Sequence, residues 1–349
     1  MEIPEKWKDV THTPDLTVQM IDPHNINISR GILDGVTKVT ITDGYYSDTK
    51  ISGSLETVDD NYIPGSWLRV LIDDEPAATF AVQKVSIKQA PENAKEKTYD
   101  LQSVLWMLDE DITGNIYTIS ANTKCSSVLK NIVKTVCGKS LELMAGFNDG
   151  MFNQAVSFER TEAFRNILAS ICSSTGNELT CSPKGAVAVQ RYNAPAQKEI
   201  SWTIDADDPN GIVLDPGYED SEETGSAYNR TIVIATSTAG ENEQTIMAYS
   251  NAPATSSISD NVRGYTRAQV HQISDMNPFN YDRAMQLVNT YAPSDRSQGV
   301  QRDATCMYWP VKGGEVIKWV QNNESTKYLV QTVEHDFEAW TSKLTLKKI

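Results

Sequence analysis

The chain has 349 residues, which is enough for two or three domains that each bury a core. Its 40% hydrophobic and 22% charged content is ordinary for a globular protein, so extensive disorder is excluded. The 31 basic and 46 acidic residues give a formal net charge of −15, which disfavours nucleic-acid binding because that binding needs lysine and arginine to displace counterions from phosphates. Such acidity suits a surface past which DNA slides without sticking, although solubility is the default explanation.

The start of the chain has no basic segment followed by an apolar core, and no window of the sequence approaches eighteen apolar residues. We therefore expect a protein without a membrane segment that is made in the cytosol and stays soluble. The cysteines are odd in number and have no close C-x-x-C spacing, which predicts free and mostly buried thiols. These cysteines are Cys125, Cys137, Cys172, Cys181 and Cys306.

Strand signals dominate the first third of the chain, from Leu16 to Leu108. Short runs rich in β-branched residues are separated by turn signals at Asp43-Gly44, Pro64-Gly65 and 73–76. Such runs predict an antiparallel sandwich or barrel, the first β-domain, within residues 1–111. The predicted strands lie near 16–20, 39–41, 51–55, 67–72, 80–87 and 99–104.

The hydrophobic period changes from 2 to 3.6 in the middle of the chain. A first helix is predicted between Thr123 as N-cap and Gly138 as C-terminal glycine, and a second between about Thr161 and Gly176. A hairpin over 178–191 follows the second helix. We therefore predict a small α+β domain over residues 112–198. The apolar face of the first helix consists of Cys125, Val128, Leu129, Ile132, Val133 and Val136.

Strand signals return from Trp202 onward, and residues 237–260 are predicted to form a polar loop. A long helix is predicted over 280–291, with Pro293 just past its end. Residues 199–349 are thus a second β-domain that contains one long helix. The predicted fold class is β-rich α+β, with two antiparallel β-domains flanking the small α+β domain.

Two stretches of the chain resemble each other at a constant offset of 248 residues, namely 65–85 and 313–333. Both carry a glycine, an apolar strand, a polar turn and an aromatic-led strand, and an alternating strand follows each. The alternative is that any two half-buried hairpins share this pattern. If the repeat is real, one chain holds two similar β-domains, which favours a scaffold. The identical pairs are Gly65/Gly313, Val82/Val330, Gln83/Gln331 and Val85/Val333.

Three features together resemble the hub proteins of phage tail tips and baseplates and of tail-derived injection machines. They are the helix-then-hairpin run over 167–189, the long helix at 280–291 that precedes the closing strands, and the final strands from Trp309 to Leu346. The resemblance covers nearly the whole chain in order and spacing, and its strength lies in the combination because no segment is a specific fingerprint.

The resemblance implies a homotrimer in which each chain contributes two tube-like β-barrels, so that three chains form a pseudo-sixfold ring. Such a ring abuts the hexameric tail tube or distal tail protein on one side and a threefold tip, spike or tape-measure protein on the other. Genomic DNA passes through its lumen without specific binding. The implied location is the tail tip of the virion, after synthesis in the host bacterial cytoplasm.

The histidines carry no metal-ligand or catalytic pattern, because none has a partner at the spacing that such sites need. His335 stands between Glu334 and Asp336 on a predicted strand, and we expect it to form a solvent-facing ion pair there. The other histidines are His12, His24 and His271. We predict no catalytic residue, no metal site and no cofactor.

The acidic stretch 205–211 raises the question of calcium binding. It does not match an EF-hand loop, since Pro209, Asn210 and Pro216 fall where an oxygen ligand, a glycine and a bidentate glutamate are needed. An acidic, turn-rich loop is the favoured interpretation. A looser calcium site, which this stretch would share with Asp215, Glu219 or Asp220, stays an alternative.

Two single residues have competing interpretations. Cys125 lies near a predicted helix start, where the helix dipole lowers a thiol pKa, but its place on the apolar stripe favours core packing. Trp7 lies in a charged opening segment and is predicted to be exposed, as a plug into a neighbouring subunit. The other tryptophans stand in strands beside apolar residues, which favours core or interface anchors over a sugar-binding platform.

Two alternatives to a structural, non-enzymatic hub stay open, namely a tail-associated peptidoglycan hydrolase and a host-glycan-binding β-protein. Paired carboxylates for glycoside hydrolysis occur in any chain with 46 acidic residues, so they decide nothing. The sequence contains no G-x-S-x-G, G-x-x-x-x-G-K or H-E-x-x-H motif. Neither alternative explains why two β-domains in one chain share a spacing.

Overall fold

The structure is a computed structural model, and it describes all residues except 1, 10, 11, 90–94, 113, 223–226, 238–243, 275–278 and 297–299. The helices within the described residues are α1 (Val104–Glu110), α2 (Cys125–Cys137), α3 (Phe164–Ser174), α4 (Asp260–Arg263) and α5 (Tyr281–Arg296). The strands are β1 (Leu16–Ile21), β2 (Ser29–Ile32), β3 (Val36–Gly44), β4 (Ile51–Val58), β5 (Trp67–Ile72), β6 (Glu75–Gln89), β7 (Lys95–Gln102), β8 (Tyr117–Ile119), β9 (Leu141–Leu143), β10 (Val156–Phe158), β11 (Asn177–Cys181), β12 (Val187–Arg191), β13 (Ile200–Asp205), β14 (Val213–Glu222), β15 (Arg230–Ser237), β16 (Gln244–Asn251), β17 (Ala268–Ser274), β18 (Val300–Met307), β19 (Val316–Gln321), β20 (Glu324–Asp336) and β21 (Thr341–Lys348).

Thirteen strands form one large sheet, which confirms the β-rich α+β class with antiparallel sheets. Its main path runs β14-β18-β21-β20-β3-β4-β7-β6-β5-β1-β2, and β19 and β13 branch from β20. Within the described residues the two ends of this path, β14 and β2, do not pair with each other. The tube-like closure of each β-domain therefore stays a prediction.

Twelve of the thirteen strands form two units with the same strand order, and β2 extends unit 1 beyond β1. Unit 1 has the order β3-β4-β7-β6-β5-β1, and unit 2 has the order β14-β18-β21-β20-β19-β13. In both units the strands follow one another along the chain in the same sequence. The units differ at one end, because β1 is antiparallel to β5 whereas β13 is parallel to β19.

The ladder irregularities of the two units also coincide. A bulge at Gln83 interrupts the β6/β7 ladder, and a bulge at Gln331 interrupts the β20/β21 ladder. These residues are 248 positions apart, as the sequence repeat predicts. A β-bulge is a specific local feature rather than a chance defect, so two bulges at equivalent positions support a true repeat.

The first hairpin of each repeat departs from that offset by one residue. The turns have positive φ at Asp73 and Asp74 in unit 1 and at Asn322 and Asn323 in unit 2, which are 249 positions apart. An additional bulge lies in the β5/β6 ladder at Ala77, where β6 gains one residue. The ungapped alignment is therefore correct along β6 and β20 but displaced by one residue along β5 and its turn.

Residues 104–191 hold three packed helices and two small sheets, β8/β10 and β9/β12/β11. The predicted hairpin over 178–191 is confirmed as β11 and β12, and Gly138 ends α2 in the left-handed conformation. The predicted strand over 99–104 ends earlier, because the Ser103 side chain accepts a hydrogen bond from Leu105 N and caps a helix that the sequence reasoning missed.

Other local boundaries differ from prediction. Asp43-Gly44 lie inside β3, since pairing with β4 and β20 on either side keeps them extended. The N-cap of α2 is Lys124 rather than Thr123, whose hydroxyl donates to Ser120 O instead. The second predicted helix begins at Phe164, three residues after Thr161.

An α+β insertion interrupts unit 2 between β14 and β18. Its strands form a three-stranded sheet, β16-β15-β17, on which α5 packs. The prediction of a polar loop over 237–260 is wrong for 244–251, which form β16, while 238–243 lie outside the described residues. Pro293 lies inside α5 rather than past its end.

The buried core is continuous across both units. One cluster joins Leu55, Phe80 and Tyr99 of unit 1 to Trp319 and Leu346 of unit 2. A second cluster fills the space between α1, α2, α3 and β12, and a third lies under α5. Because the first cluster spans both units, the two units pack as one body.

Trp7 is buried in this shared core, with only 8% of its surface exposed. Its ring meets the ring of Tyr308 edge-on at 5.3 Å, and Ile3 lies in the same cluster. The prediction of an exposed plug is therefore wrong. The charged neighbours of Trp7 suggested exposure, but the short 3₁₀ turn Glu5–Trp7 directs the indole inward.

We expect Trp7→Ala to destabilise the isolated chain by about 3–5 kcal/mol, the usual cost of deleting a buried large aromatic. Chemical denaturation of the chain measures this loss. A conservative Trp7→Phe variant, which refills most of the volume, should recover much of it. An unchanged unfolding free energy in Trp7→Ala would contradict the burial.

Candidate assembly interface

The two units are joined edge to edge by one strand pair. The second half of β20 pairs with β3 of unit 1, while β20 also pairs with β21 of its own unit. Tyr45 N donates to Gln331 O at 2.9 Å at one end, and Phe337 N donates to Val39 O at 3.0 Å at the other. We call this strand pair the joint.

Two glycines allow a close approach beside the joint. A Cβ at Gly313 would lie 2.7 Å from Asp43 Oδ1, and one at Gly314 would lie 2.4 Å from Tyr45 Cδ2. Gly314 also has φ of +83°, which L side chains rarely adopt. The loop before β19 can therefore pack on β3 only because these positions lack a side chain.

Tyr45 connects three parts of the chain. Its hydroxyl donates to Glu178 Oε2 at 3.0 Å, in strand β11. Lys198 Nζ lies 4.2 Å from its ring centre and donates to Gly314 O at 2.9 Å. Lys50 Nζ donates to the carbonyl oxygen of Tyr45 itself. Burial lowers the pKa of both lysines.

Asp43 is a buried carboxyl at the joint. Burial raises its pKa from 3.8 to about 6, and a hydrogen bond from the Gly313 backbone opposes that rise. A raised carboxyl pKa means that the folded state binds the proton more tightly than the unfolded state. The contribution of this group to stability is present at low pH and is lost as the pH rises from about 4 through about 6.

His335 is buried in the joint, with 7% of its surface exposed, so the prediction of a solvent-facing ion pair is wrong. Its Nε2 donates to Val311 O at 3.0 Å, and Nδ1 accepts from the Ser342 hydroxyl at 2.9 Å. Burial lowers its pKa from 6.5 to about 4. The flanking acids point to the opposite face because side chains alternate along a strand.

A cavity of about 860 Å³ lies beside the joint, between unit 1, α3 and α5. Its walls carry Tyr46, Arg165, Glu178, Arg191 and Tyr192. A second cavity of about 320 Å³ is lined by Asp43, Lys50 and His335 among others. The polar groups at the joint are bound to one another and to backbone carbonyls, which is an arrangement that fixes the units.

The other predicted residues are scattered. His271 Nε2 lies 3.0 Å from Asp295 Oδ2 in the insertion, and His12 lies edge-on to Trp7 at 5.5 Å. His24 is exposed in the loop after β1. The structure thus brings none of the four histidines together. Cys125 is buried, and burial raises its pKa to about 11, so the core interpretation is confirmed.

The acidic stretch 205–211 forms turns that its own side chains cap. Asp205 Oδ1 accepts from Asp207 N at 3.0 Å, and Asp208 Oδ1 accepts from Asn210 N at 2.9 Å. In the part of the chain that the structure describes, no group of three or more His, Cys, Asp or Glu side chains could hold a metal ion. The turn interpretation is therefore the one that the contacts support.

Arg302 is a buried cation that the sequence reasoning missed. Its guanidinium forms a bidentate pair with Asp220, with both distances 2.6 Å, and lies 3.9 Å from the centre of the Tyr218 ring. This contact fixes β14 on β18. The planar fork matches carboxylate geometry, so lysine would not replace it. The available signal was that Arg302 alternates with the apolar Ala304 and Cys306 on one face of β18.

Solved structures of phage tail proteins share this fold. The tail protein from Neisseria meningitidis MC58 superposes with a TM-score of 0.68 at 11% identity, over 95% of this chain and 96% of that one. The 43 kDa tail protein of prophage MuSo2 from Shewanella oneidensis gives 0.64 at 12% identity, over 96% and 98%. No family model and no curated protein matches the chain.

A component of the Escherichia coli type VI secretion system, c3393, also matches, with a TM-score of 0.51 at 8% identity over 90% of this chain and 73% of that one. That protein is structurally similar to the bacteriophage T4 tail proteins gp27 and gp5. The chain therefore has the fold of phage tail proteins, which confirms at the level of the fold the resemblance seen in the sequence. None of the described helices combines the length and apolarity needed to span a bilayer.

We expect Gly314→Ala to destabilise the chain far more than Gly65→Ala. Both glycines have positive φ, at +83° and +79°, and stand in front of equivalent strands, but nothing lies within 4 Å of a Cβ at Gly65. Gly65→Ala is the control and measures only the backbone strain, about 1 kcal/mol. Gly314→Ala adds about 1–3 kcal/mol of overpacking. Equal losses in chemical denaturation would contradict the packing at the joint.

We expect His335→Gln to change the pH dependence of stability. The lowered pKa in the folded state means that wild type loses stability as the pH falls from about 6.5 towards 4, by about 2 kcal/mol between pH 7 and pH 5. The variant lacks this loss. The unfolding free energy of wild type therefore falls relative to that of the variant by the same amount as the pH is lowered. Parallel denaturation curves at both pH values measure it, and His24→Gln serves as the exposed-histidine control.

Proposed function

We propose that this protein is the structural hub of a phage tail tip or baseplate. Three chains form a ring with pseudo-sixfold symmetry, which joins the hexameric tail tube to a threefold tip and lines the DNA channel. The protein is not an enzyme in this proposal. It works through the geometry of its β-units, and its location is the tail tip of the virion after synthesis in the host cytoplasm.

The repeat of two units side by side in one sheet carries this proposal. Strand order and the bulges at Gln83 and Gln331 match between units, so one chain presents two nearly equivalent edges and faces. Three copies then supply six units. A tube of six subunits can contact six equivalent units, while the tip contacts three chains.

The partners follow from this symmetry. One face of the ring holds the tail tube or distal tail protein, and the other holds a tip, spike or tape-measure protein. Within the ring we propose tube-like closure of the first domain, residues 1–111, and of the second, residues 199–349. The middle domain, residues 112–198, lies outside the tube wall in this proposal.

The acidic balance supports a lumen that DNA passes without binding. A net charge of −15 gives the ring a field that repels phosphates. A lumen that maps as basic or apolar in the assembled ring would contradict this part of the proposal.

Mass photometry with negative-stain imaging of the purified chain tests the hub. We expect a three-chain particle with six peripheral lobes, alone or after addition of the tube and tip proteins. A monomer that persists with those partners present would overturn the proposal. Clearing of purified cell walls, abolished by one carboxylate substitution, would favour a hydrolase, and binding to host glycans would favour a glycan-binding protein.

A further inference from the structure

The second half of β6 is an open strand edge. In the described residues, Val85–Lys88 pair with β7 on one side and with no strand on the other. Val85 is 38% exposed and Ile87 is 66% exposed. An exposed edge with aliphatic side chains is a surface that natural proteins usually cover or protect.

The counterpart of this edge in unit 2 is covered. The bulge-aligned offset of 248 relates Val85 to Val333 and Ile87 to His335, which are 0% and 7% exposed. Strand β3 of unit 1 covers them at the joint. The edge of β20 in unit 2 is thus paired with β3, whereas the equivalent edge of β6 in unit 1 is open. The joint therefore indicates what kind of strand the open edge of β6 accepts.

The strand equivalent to β3 is β14, and its outer edge is also open. Tyr99 and Leu344 are equivalent residues of the two units. Two successive strand pairings lead from Tyr99 to Val39 in β3, and two matching pairings lead from Leu344 to Tyr218 in β14. Val39 and Tyr218 are therefore equivalent. Among the described strands β14 pairs with β18 alone.

We propose that β14 of one chain pairs antiparallel with the open edge of β6 in the next copy, which repeats the joint between subunits. This inference rests on the proposed trimer and names the contact that closes it. Transferring the register of the joint sets Ser86 opposite Ser221, Ile87 opposite Asp220 and Lys88 opposite Glu219. Three such contacts and three joints close a ring of six units.

The register also fixes which pairs lie closest. In the joint, Tyr45/Gln331 and Val39/Phe337 are hydrogen-bonded pairs, so the intervening pairs Thr42/Glu334 and Thr40/Asp336 alternate with them as non-hydrogen-bonded pairs. The equivalents of these two pairs are Ser86/Ser221 and Lys88/Glu219. Non-hydrogen-bonded pairs bring their side chains closest, at a Cα separation of about 4.5 Å.

Charge complementarity supports the same register. Glu219 lies directly opposite Asp303 on β18, and like charges in that position are destabilising. Lys88 Nζ lies 3.4 Å from Glu96 on β7 and has 80% of its side chain exposed. In the proposed contact this ammonium lies between Glu96 of its own chain and Glu219 of the next, so the acidic strand β14 gains a cation.

Disulfide cross-linking of the full-length chain tests the contact. We expect Ser86→Cys/Ser221→Cys, oxidised after assembly, to give covalent trimers on non-reducing gels, because the paired Cα atoms fall within disulfide range. The matched control is Ser86→Cys/Gln301→Cys. Gln301 lies opposite Ser221 on β18, one strand further from Ser86, which adds about 4.8 Å and exceeds that range. The control should stay uncross-linked.

The outcomes separate this inference from the hub itself. If imaging shows a three-chain ring and the Ser86/Ser221 variant forms no link between chains, the contact is overturned and the hub stands. A disulfide formed within one chain also overturns the contact. If wild type forms no ring with its tube and tip partners, the hub fails and this contact fails with it.

A charge swap gives a second readout without cysteine. Lys88→Glu should weaken the trimer several-fold, since three glutamates would then face Glu219 and Glu96 in each ring. Adding Glu219→Lys restores the opposite charges across the contact and should recover most of the loss. Mass photometry over a dilution series measures both. Recovery that fails in a correctly folded double variant would contradict the register.

Discussion

The structure depends on one strand, β20, that pairs with strands of both units. β20 pairs with β19 along its first half and with β3 along its second, and β21 lies along its other edge. The bulge at Gln331 marks where the strand changes partner, because the extra residue bends it away from its own unit. Because it changes partner in this way, β20 holds the two units side by side in one sheet.

The joint buries two ionisable groups whose contributions to stability depend on pH in opposite directions. Asp43 favours its neutral form, so that group loses its stabilising contribution as the pH rises through about 6. His335 also favours its neutral form, so that group loses its contribution as the pH falls below about 6.5. The two losses run in opposite directions across nearly the same range. A joint built from both is therefore less sensitive to pH than either residue alone.

Much of this fold was predictable because strands with β-branched residues and turn signals carry local information. β5 has the predicted limits 67–72, and the repeat was visible as an offset of 248 residues. Local sequence patterns do not show which strand edges pair with each other. The charged neighbours of Trp7 and His335 predict exposure, but both are buried. Trp7 packs on Tyr308 and His335 pairs with β3, each far away in the sequence. The helix α1 was missed because seven residues are too short for a clear period.

A repeat within one chain lets evolution treat two equivalent edges differently. In unit 2 the edge is closed by β3, and Gly313, Gly314 and the buried His335 fit it to that strand. In unit 1 the same edge carries Lys84, Ser86 and Lys88, which are exposed in a single chain. Lysines protect an open strand edge against indiscriminate pairing, and they accept an acidic strand when one arrives. In the proposed contact the same side chains therefore protect the open edge of the single chain and select a partner strand with the charge pattern of β14.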